Sequence, residues 1–392
     1  MQQNQSLRPG LYIHIPFCRK KCRYCDFYSI TDLSLIPSFL KALATEIRLQ
    51  SDMGFPAFDS IYFGGGTPSV ISPTGIHQIL EACRSKFDLL ADAEITLEIN
   101  PKTVNKKSLL EYRQAGVTRV NIGVQSFNDH HLAFLGRLHD QHDAADAIRW
   151  ARHAGYDSLG LDLIYGIPGQ TIESWLSDLE RGVEFMPDHL SCYLLTYEPG
   201  TLLHADLREK KIRKMPEKQA ARLFLKTDSH LEKRGFEHYE ISNFAGKKNE
   251  FAPFVRSRHN QKYWNFAHYI GLGPAAHSFN GYERSWNCRS LEEYIRQLSL
   301  EKRPLAGKET LSRDQQALEA IYLGLRKREG ISVESFEKMT GIPFFSTFSE
   351  AIPPLLKQKM IQVTTESCAL TTDGMLFHES ICQRIADCVP PL

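Results

Sequence analysis

Three cysteines, Cys18, Cys22 and Cys25, fall within the eight residues Cys-Arg-Lys-Lys-Cys-Arg-Tyr-Cys. Soft sulfur ligands on so short a loop select iron-sulfur clusters, zinc or copper(I) over hard cations. A structural zinc site needs a fourth ligand at matching spacing, and no second Cys-x-x-Cys or His-x-His pair supplies one. Three thiolates satisfy three irons of a four-iron cubane and leave the fourth iron open to a small chelating molecule. A zinc loop and three unconnected thiols are the competing readings. A second loop with chemical potential is Gly64-Gly65-Gly66-Thr67-Pro68, which follows the apolar run Ile61-Tyr62-Phe63. Successive glycines let a backbone come close to a ligand and expose its N–H and C=O groups, although a triple-glycine loop alone is weak evidence.

The elements that must position these loops alternate regularly. Apolar, β-rich runs at 11–15, 60–63, 95–99, 119–124, 158–164 and 189–195 predict strands. Helical patterns lie between them at 37–49, 73–87, 106–115, 142–154 and 172–182. Strands separated by helices of ten or more residues imply an α/β class with parallel strands and crossover connections. Glu98 and Gln125 then stand near strand ends, Asp162 occupies a similar place, and Arg137 follows on the next helix. For any one of them, a polar group bonded to nearby backbone is the plainer reading; four at matching positions shift the balance towards a binding site.

The Cys-x3-Cys-x2-Cys spacing, with aromatic Tyr24 just before the last cysteine, and the strand-borne Gly-Gly-Gly-Thr-Pro loop resemble the radical S-adenosylmethionine (radical SAM) superfamily. That resemblance implies an incomplete (β/α)6 barrel over residues 11–200, a [4Fe-4S] cluster on the three cysteines, and chemistry at the C-terminal ends of the strands. The wider pattern is similar to the subgroup that holds the oxygen-independent coproporphyrinogen III oxidase and the heme chaperones. By that resemblance Tyr12, Tyr24, Gly65, Gly66, Thr67, Glu98, Gln125, Arg137 and Asp162 line the S-adenosylmethionine pocket. The oxidase carries a cysteine two positions past its last ligand, where this chain has Phe27, and a long extension ahead of its cluster loop. Here that loop begins at residue 18, which is read as the lack of such an extension. His259-Asn260-Gln261-Lys262-Tyr263-Trp264 matches the chaperones' His-Asn-x-x-Tyr-Trp motif. An imidazole there can bind heme iron while the aromatics cover the macrocycle. It can equally be a core histidine in a buried loop, and His238, His268 and His277 lie nearby.

The chain has 392 residues, enough for two or three domains, and a formal charge of +1, so no global field points to nucleic acid. No secretory signal and no run of eighteen apolar residues is visible. Nine cysteines, six of them scattered, suit a reducing compartment, and a cytoplasmic location is expected. Residues 1–10 read as a polar tail and 201–305 as a subgroup-specific extension carrying the His259 motif. Residues 306–392 read as a C-terminal winged-helix-like α+β domain, with helices at 312–327, 332–340 and 348–359 ahead of a hairpin pairing 361–363 with 368–371; 304–310 is the expected linker. The segment 345–359 holds only two lysines and two prolines, so packing or partner docking is favoured over DNA binding.

Three functions follow. The first, favoured by Phe27, the short N-terminus and the His259 motif, is a heme chaperone that hands heme to acceptor proteins, membrane-bound respiratory proteins among them, with a [4Fe-4S] cluster and S-adenosylmethionine organising the molecule. The second is a coproporphyrinogen oxidase-like enzyme that generates a 5'-deoxyadenosyl radical. The third is a binding module switched by cluster redox state. Whether S-adenosylmethionine is cleaved is not decided by the residues.

Overall fold

The computed structural model describes residues 8–50 and 54–390, so most of the expected N-terminal tail, residues 1–7, lies outside the described residues. Six parallel strands run side by side in chain order: β1 (Gly10–Ile15), β2 (Phe58–Gly65), β3 (Leu89–Ile99), β4 (Arg119–Gln125), β5 (Ser158–Tyr165) and β6 (His189–Leu194). Each is linked to the next through at least one helix, and five helices cover the sheet: Ile36–Leu49, Pro73–Lys86, Lys106–Ala115, Gln141–Ala154 and Ile172–Glu184. These match the sequence expectations to within a few residues, except that β3 begins six residues earlier than the run at 95–99.

Period-two alternation sorts the side chains of these strands. Ile13, Phe63, Leu97, Ile99, Val120, Ile122, Leu161 and Leu163 are buried in the apolar core, together with Phe39, Leu80, Leu109, Ile148 and Trp175 of the helices. The intervening positions, Tyr12, His14, Ser60, Tyr62, Thr96, Glu98, Asn121, Gln125, Asp162 and Ser191, give the other face a row of polar side chains. Helix starts are fixed by side-chain caps: Asn105, Asp140 and Thr171 each accept from a backbone N–H of the first turn in a reciprocal capping box.

The segment expected as a separate extension does not form its own sheet. It continues to β7 (Glu237–Glu240), β8 (Asn243–Ala245), β9 (Tyr269–Leu272), β10 (His277–Phe279) and β11 (Glu283–Asn287). The expected linker is a twelfth strand, β12 (Leu305–Thr310), because its backbone pairs antiparallel with β11. Among the described residues the sheet order is β12-β11-β10-β9-β1-β2-β3-β4-β5-β6-β8-β7, so the added strands lengthen both edges. β9 runs parallel to β1 and β8 antiparallel to β6.

The C-terminal region begins with helix Arg313–Arg326 and closes a small antiparallel sheet of β13 (Ile331–Ser332), β14 (Ile361–Val363) and β15 (Ser367–Leu370) in the order β13-β15-β14. The helix expected at 348–359 is shorter, Ile352–Lys357, and a separate single turn, Phe344–Thr347, precedes it. Pro353 and Pro354 lack the N–H that a helix interior uses, so they open a new first turn instead of continuing the old one. The core of this region is continuous with that of the main sheet, and Arg326 of its first helix pairs with the buried Glu240.

Candidate functional site

A cavity of about 530 Å³ opens at the C-terminal ends of β2 to β6. Its wall contains Cys18, Cys22, Tyr24, Cys25, Gly65, Gly66, Thr67, Glu98, Gln125, Arg137 and Asp162, which is every expected cluster and pocket residue except Tyr12. The cysteine loop is tied down at its base. Cys18 N–H donates to the Ile30 carbonyl at 2.9 Å, and Ile30 N–H donates to that of Pro16 at 2.7 Å. The glycine loop is locked against it, with Gly66 N–H on the Ile15 carbonyl at 2.8 Å and Thr67 N–H on that of Phe17 at 2.7 Å.

These contacts explain the glycines more directly than ligand approach does. Gly65 has φ +106°, and a Cβ there would fall 2.6 Å from the His14 ring; a Cβ on Gly66 would fall 2.6 Å from the Phe17 carbonyl oxygen. The two loops can therefore lie against each other only with glycine at both places.

Polar contacts reach all three sulfurs, that of Cys25 through the backbone N–H of Phe27. The Thr67 hydroxyl lies 3.4 Å from Cys18 Sγ, and Arg137 Nη1 donates to Cys22 Sγ at 3.5 Å while its Nη2 donates to the Gly123 carbonyl at 2.8 Å. Arg137 is not on a helix. The helix Asp129–Leu135 ends at left-handed Gly136, and that turn aims the guanidinium back at the cysteines. Burial pushes the Cys25 thiol up to about 11. A bare protein there favours the neutral thiol, and a metal bound there would supply the compensating charge that a thiolate needs.

On the opposite wall Tyr62 Oη donates to Glu98 Oε1 at 2.7 Å. Burial pushes Glu98 up to about 8 and Asp162 up to about 6. Gln125 closes β4 with φ 67°, a left-handed conformation that costs a non-glycine residue about 1 kcal/mol or more and turns the chain at the rim. Asp162 Oδ1 and Arg137 Nε are buried with no hydrogen-bond partner. Both residues line the cavity, so a polar ligand there would meet hydrogen-bonding capacity that the protein leaves unspent.

Two expected residues stand elsewhere. Tyr12 lies one layer deeper, stacked on Tyr62 at 6.3 Å between ring centroids, with its Oη 3.1 Å from His14 Nδ1. His259 is 1 % exposed, near the opposite ends of the strands. Its Nδ1 lies 3.0 Å from Ser60 Oγ, its Nε2 lies 3.0 Å from Tyr263 Oη, and its ring stacks on Tyr62 at 5.1 Å. Burial lowers its pKa to about 3, which keeps the imidazole neutral. Both ring nitrogens are engaged, so in this conformation neither faces a metal, and the expectation of an iron ligand at His259 is not met by its surroundings. Trp264 of the same helix, Arg258–Trp264, lies under the Arg326 guanidinium, which joins the motif to the C-terminal region.

Sequence reasoning missed Asn121 and Tyr193, which also line the cavity. The signal was available for Asn121: counting back by twos from Gln125 through Gly123 puts it on the same face. Phe27 lines the wall next to Cys25 and is 66 % exposed.

The donor set fits an iron-sulfur cluster. Among the described residues no three His, Cys, Asp or Glu side chains stand close enough to share one metal ion. The three sulfurs instead line one cavity wall, an arrangement suited to a cluster that offers each sulfur its own iron. The remaining wall carries unpaired carboxylate and guanidinium atoms suited to the charged groups of an amino acid.

A family model described as the radical SAM superfamily matches residues 12–181, and one described as the HemN C-terminal domain matches residues 311–377. Proteins named heme chaperone HemW are similar over almost their whole length. That of Lactococcus lactis is 31% identical, covering 95% of this chain and 96% of the relative. That of Escherichia coli is 32% identical, covering 95% and 96%. Among solved structures, coproporphyrinogen III oxidase (HemN) of Escherichia coli, described as a radical SAM enzyme, superposes with a TM-score of 0.82 at 26% identity, covering 97% of this chain and 90% of that one.

Proposed function

The chain belongs to the HemW family of the radical SAM superfamily, and from that premise we propose that it binds heme and passes it to acceptor proteins, membrane-bound respiratory proteins among them. In this reading the six parallel strands are an incomplete (β/α)6 barrel and the C-terminal region is a winged-helix-like docking module. Cys18, Cys22 and Cys25 would hold a [4Fe-4S] cluster. Gly65, Gly66, Thr67, Glu98, Gln125, Arg137 and Asp162 would hold S-adenosylmethionine. When bound, the cluster supplies one-electron chemistry and an open iron for the amino-acid end of that ligand.

This chain's own residues bind and orient. Arg137 places a fixed positive charge between Cys22 and the pocket, suited to the ligand's carboxylate. Tyr62 Oη and the Gly65 backbone N–H both bond to Glu98 and hold its carboxylate at the cavity wall, where it can accept from an amine or a ribose hydroxyl. Asp162 offers an unpaired oxygen to the same end.

The observation that carries the chaperone reading over the oxidase reading is Phe27. It stands in the cavity wall beside Cys25, where the oxidase is expected to carry a further thiol, and it offers neither an acid nor a redox-active atom. All nine cysteines are free thiols, which agrees with a reducing, cytoplasmic location. No helix among the described residues is long and apolar enough to cross a membrane.

The test uses the full chain reconstituted anaerobically with iron and sulfide. Heme should bind stoichiometrically and move to an apo-acceptor, while coproporphyrinogen III should remain unconverted in the presence of S-adenosylmethionine and reductant. Turnover of coproporphyrinogen would reverse the assignment in favour of the radical enzyme.

A further inference from the structure

Three tyrosines inside the sheet each hold their hydroxyl against a base. Tyr62 Oη donates to Glu98, a residue of the cavity wall, at 2.7 Å. Tyr12 Oη lies 3.1 Å from His14 Nδ1, and because His14 Nε2–H donates to the Tyr28 carbonyl at 2.9 Å, Nδ1 is the nitrogen that accepts. Tyr263 Oη lies 3.0 Å from His259 Nε2, which accepts when the ring proton sits on Nδ1, 3.0 Å from Ser60 Oγ.

The rings are contiguous. Tyr62 and Tyr12 stack on each other at 6.3 Å between centroids, and they lie against His259 at 5.1 Å and 6.5 Å respectively. His259 in turn meets Tyr263 edge-on at 5.3 Å. The order of contacts runs from the cavity wall to the closed end, because Tyr12 and Tyr62 are neighbours across β1 and β2 while His259 and Tyr263 belong to the helix Arg258–Trp264.

The aromatics around this stack lack the same pairing. The hydroxyls of Tyr24 and Tyr269 face the guanidiniums of Arg137 and Arg284, and that of Tyr193 meets the Ser191 hydroxyl; none of these partners is a base. Trp264 follows Tyr263 at 6.2 Å but lies under the Arg326 guanidinium at 4.5 Å, a fixed positive charge that opposes removal of an electron from the indole. Tyr239 and Tyr294 do bond to a base, His189 and Glu46, yet among the described residues neither has another tyrosine or a tryptophan ring against its own.

A phenol that loses an electron becomes a strong acid, so its oxidation is easiest where a bonded base takes the proton. Resting on the reading of Cys18, Cys22 and Cys25 as iron ligands, we propose that Tyr62, Tyr12 and Tyr263, with His259 between them, form a one-electron relay that draws an oxidising equivalent out of the cavity to the closed end. The oxidant is a hydroxyl radical, formed with hydroxide when hydrogen peroxide takes one electron from ferrous iron. Tyr62 gives the radical one electron and Glu98 takes the phenolic proton, so the products are hydroxide, a neutral tyrosyl radical and protonated Glu98. Tyr263 then gives an electron to Tyr62, the Glu98 proton returns to Tyr62 Oη, and the Tyr263 proton passes to His259 Nε2. The radical comes to rest at Tyr263, away from the three sulfurs.

The experiment mixes the full-length, cluster-loaded protein with hydrogen peroxide above pH 8, where Glu98 is ionised, and reads the organic radical by rapid-freeze EPR. With 3-fluorotyrosine in place of Tyr263, that radical should carry an added fluorine splitting. Tyr62→Phe combined with Tyr12→Phe in the same background should lose the fluorine-split signal, although the far ring is untouched. In that variant oxidation of Cys18, Cys22 and Cys25 to sulfinic acid, read by mass spectrometry, should rise. Iron content and far-UV circular dichroism before peroxide should stay as in the wild type. A fluorine-split signal missing from the iron-loaded protein with both Tyr62 and Tyr12 intact, or one that survives their double substitution, would overturn the relay while the iron-binding reading stands. Failure of the wild-type protein to take up iron and sulfide would overturn that reading, and the relay's source of oxidant with it.

Discussion

The same polar face of the same strands ends in two different ways. At the C-terminal mouth, Asp162 and Arg137 carry buried atoms with no partner, Gln125 sits in a left-handed conformation, and the polar side chains face open space. At the opposite end, helix Arg258–Trp264 closes the sheet and fills the space, although Trp264 Nε1 and the Nε and Nη2 of Arg119 have no hydrogen-bond partner there. His259 is held at both nitrogens, its N–H donates to Glu94 at 3.2 Å, and the buried Lys262 pairs with Asp59 and donates to the Arg8 carbonyl at 2.7 Å. Gly10 is part of the closure, because a Cβ there would fall within 3.0 Å of Lys262, Ser60 and His259. The contrast teaches that burial of polar residues does not by itself mark a binding site. What marks it is hydrogen-bonding capacity left unspent where it faces an open cavity, as at Asp162 and Arg137.

Substitutions at the two ends should therefore fail in different ways. The largest effect belongs to the mouth: Cys18, Cys22 and Cys25 all replaced by alanine should lose the cluster entirely, seen as loss of visible absorption and of the reduced-state EPR signal, with little change in unfolding of the apo-protein. Full iron and sulfide content in that variant would remove the basis of the site. At the closed end the effect should be on stability. Asp59→Ala leaves the Lys262 ammonium buried without its carboxylate, and breaking a buried pair from one side costs about 3–5 kcal/mol. Chemical denaturation should show that loss, and an unchanged midpoint would mean the closure is not what holds the strands at that end.

A third carboxylate sharpens the rule, because Glu46 is buried yet fully bonded. Its oxygens accept from Tyr294 Oη at 2.6 Å, Asn287 Nδ2 at 2.6 Å and Gly273 N–H at 2.7 Å. Burial still pushes it up from 4.5 to about 7. The folded state then binds this proton more tightly than the unfolded chain. The stability it contributes is fully present below pH 4.5 and is lost as pH rises through about 7. Glu46→Gln should remove that part of the slope, by an amount on the order of a few kcal/mol between the two ends of the window. Parallel stability–pH curves for variant and wild type would contradict it. The smallest expected effect is at Thr67, whose hydroxyl touches Cys18 Sγ. Thr67→Val keeps the shape and removes the hydrogen bond, which should lower the cluster midpoint potential by tens of millivolts in an EPR-monitored redox titration, since hydrogen bonds to ligating sulfurs raise that potential. An unchanged potential would make the contact purely a matter of packing.

The sequence by itself determined the parallel core and the mouth of the site, because both depend on short-range patterns. Period-two strands, helical spacing, capping residues and the spacing of Cys18, Cys22 and Cys25 are all read within windows of a dozen residues, and strand ends then place Glu98, Gln125 and Asp162 together. What the tertiary structure alone decided involves partners far apart in the chain. Residues 304–310 look like a linker until β11 offers them a pairing edge, and residues 201–305 look like a separate unit until their strands extend both sides of the sheet. His259 carried a motif suited to iron, but Ser60, nearly two hundred residues away, takes one nitrogen, and Tyr263, brought into register by the helix that the motif forms, takes the other. A side chain's type and local spacing are written in the sequence; whether its last hydrogen bond is already spent depends on neighbours that only folding brings to it.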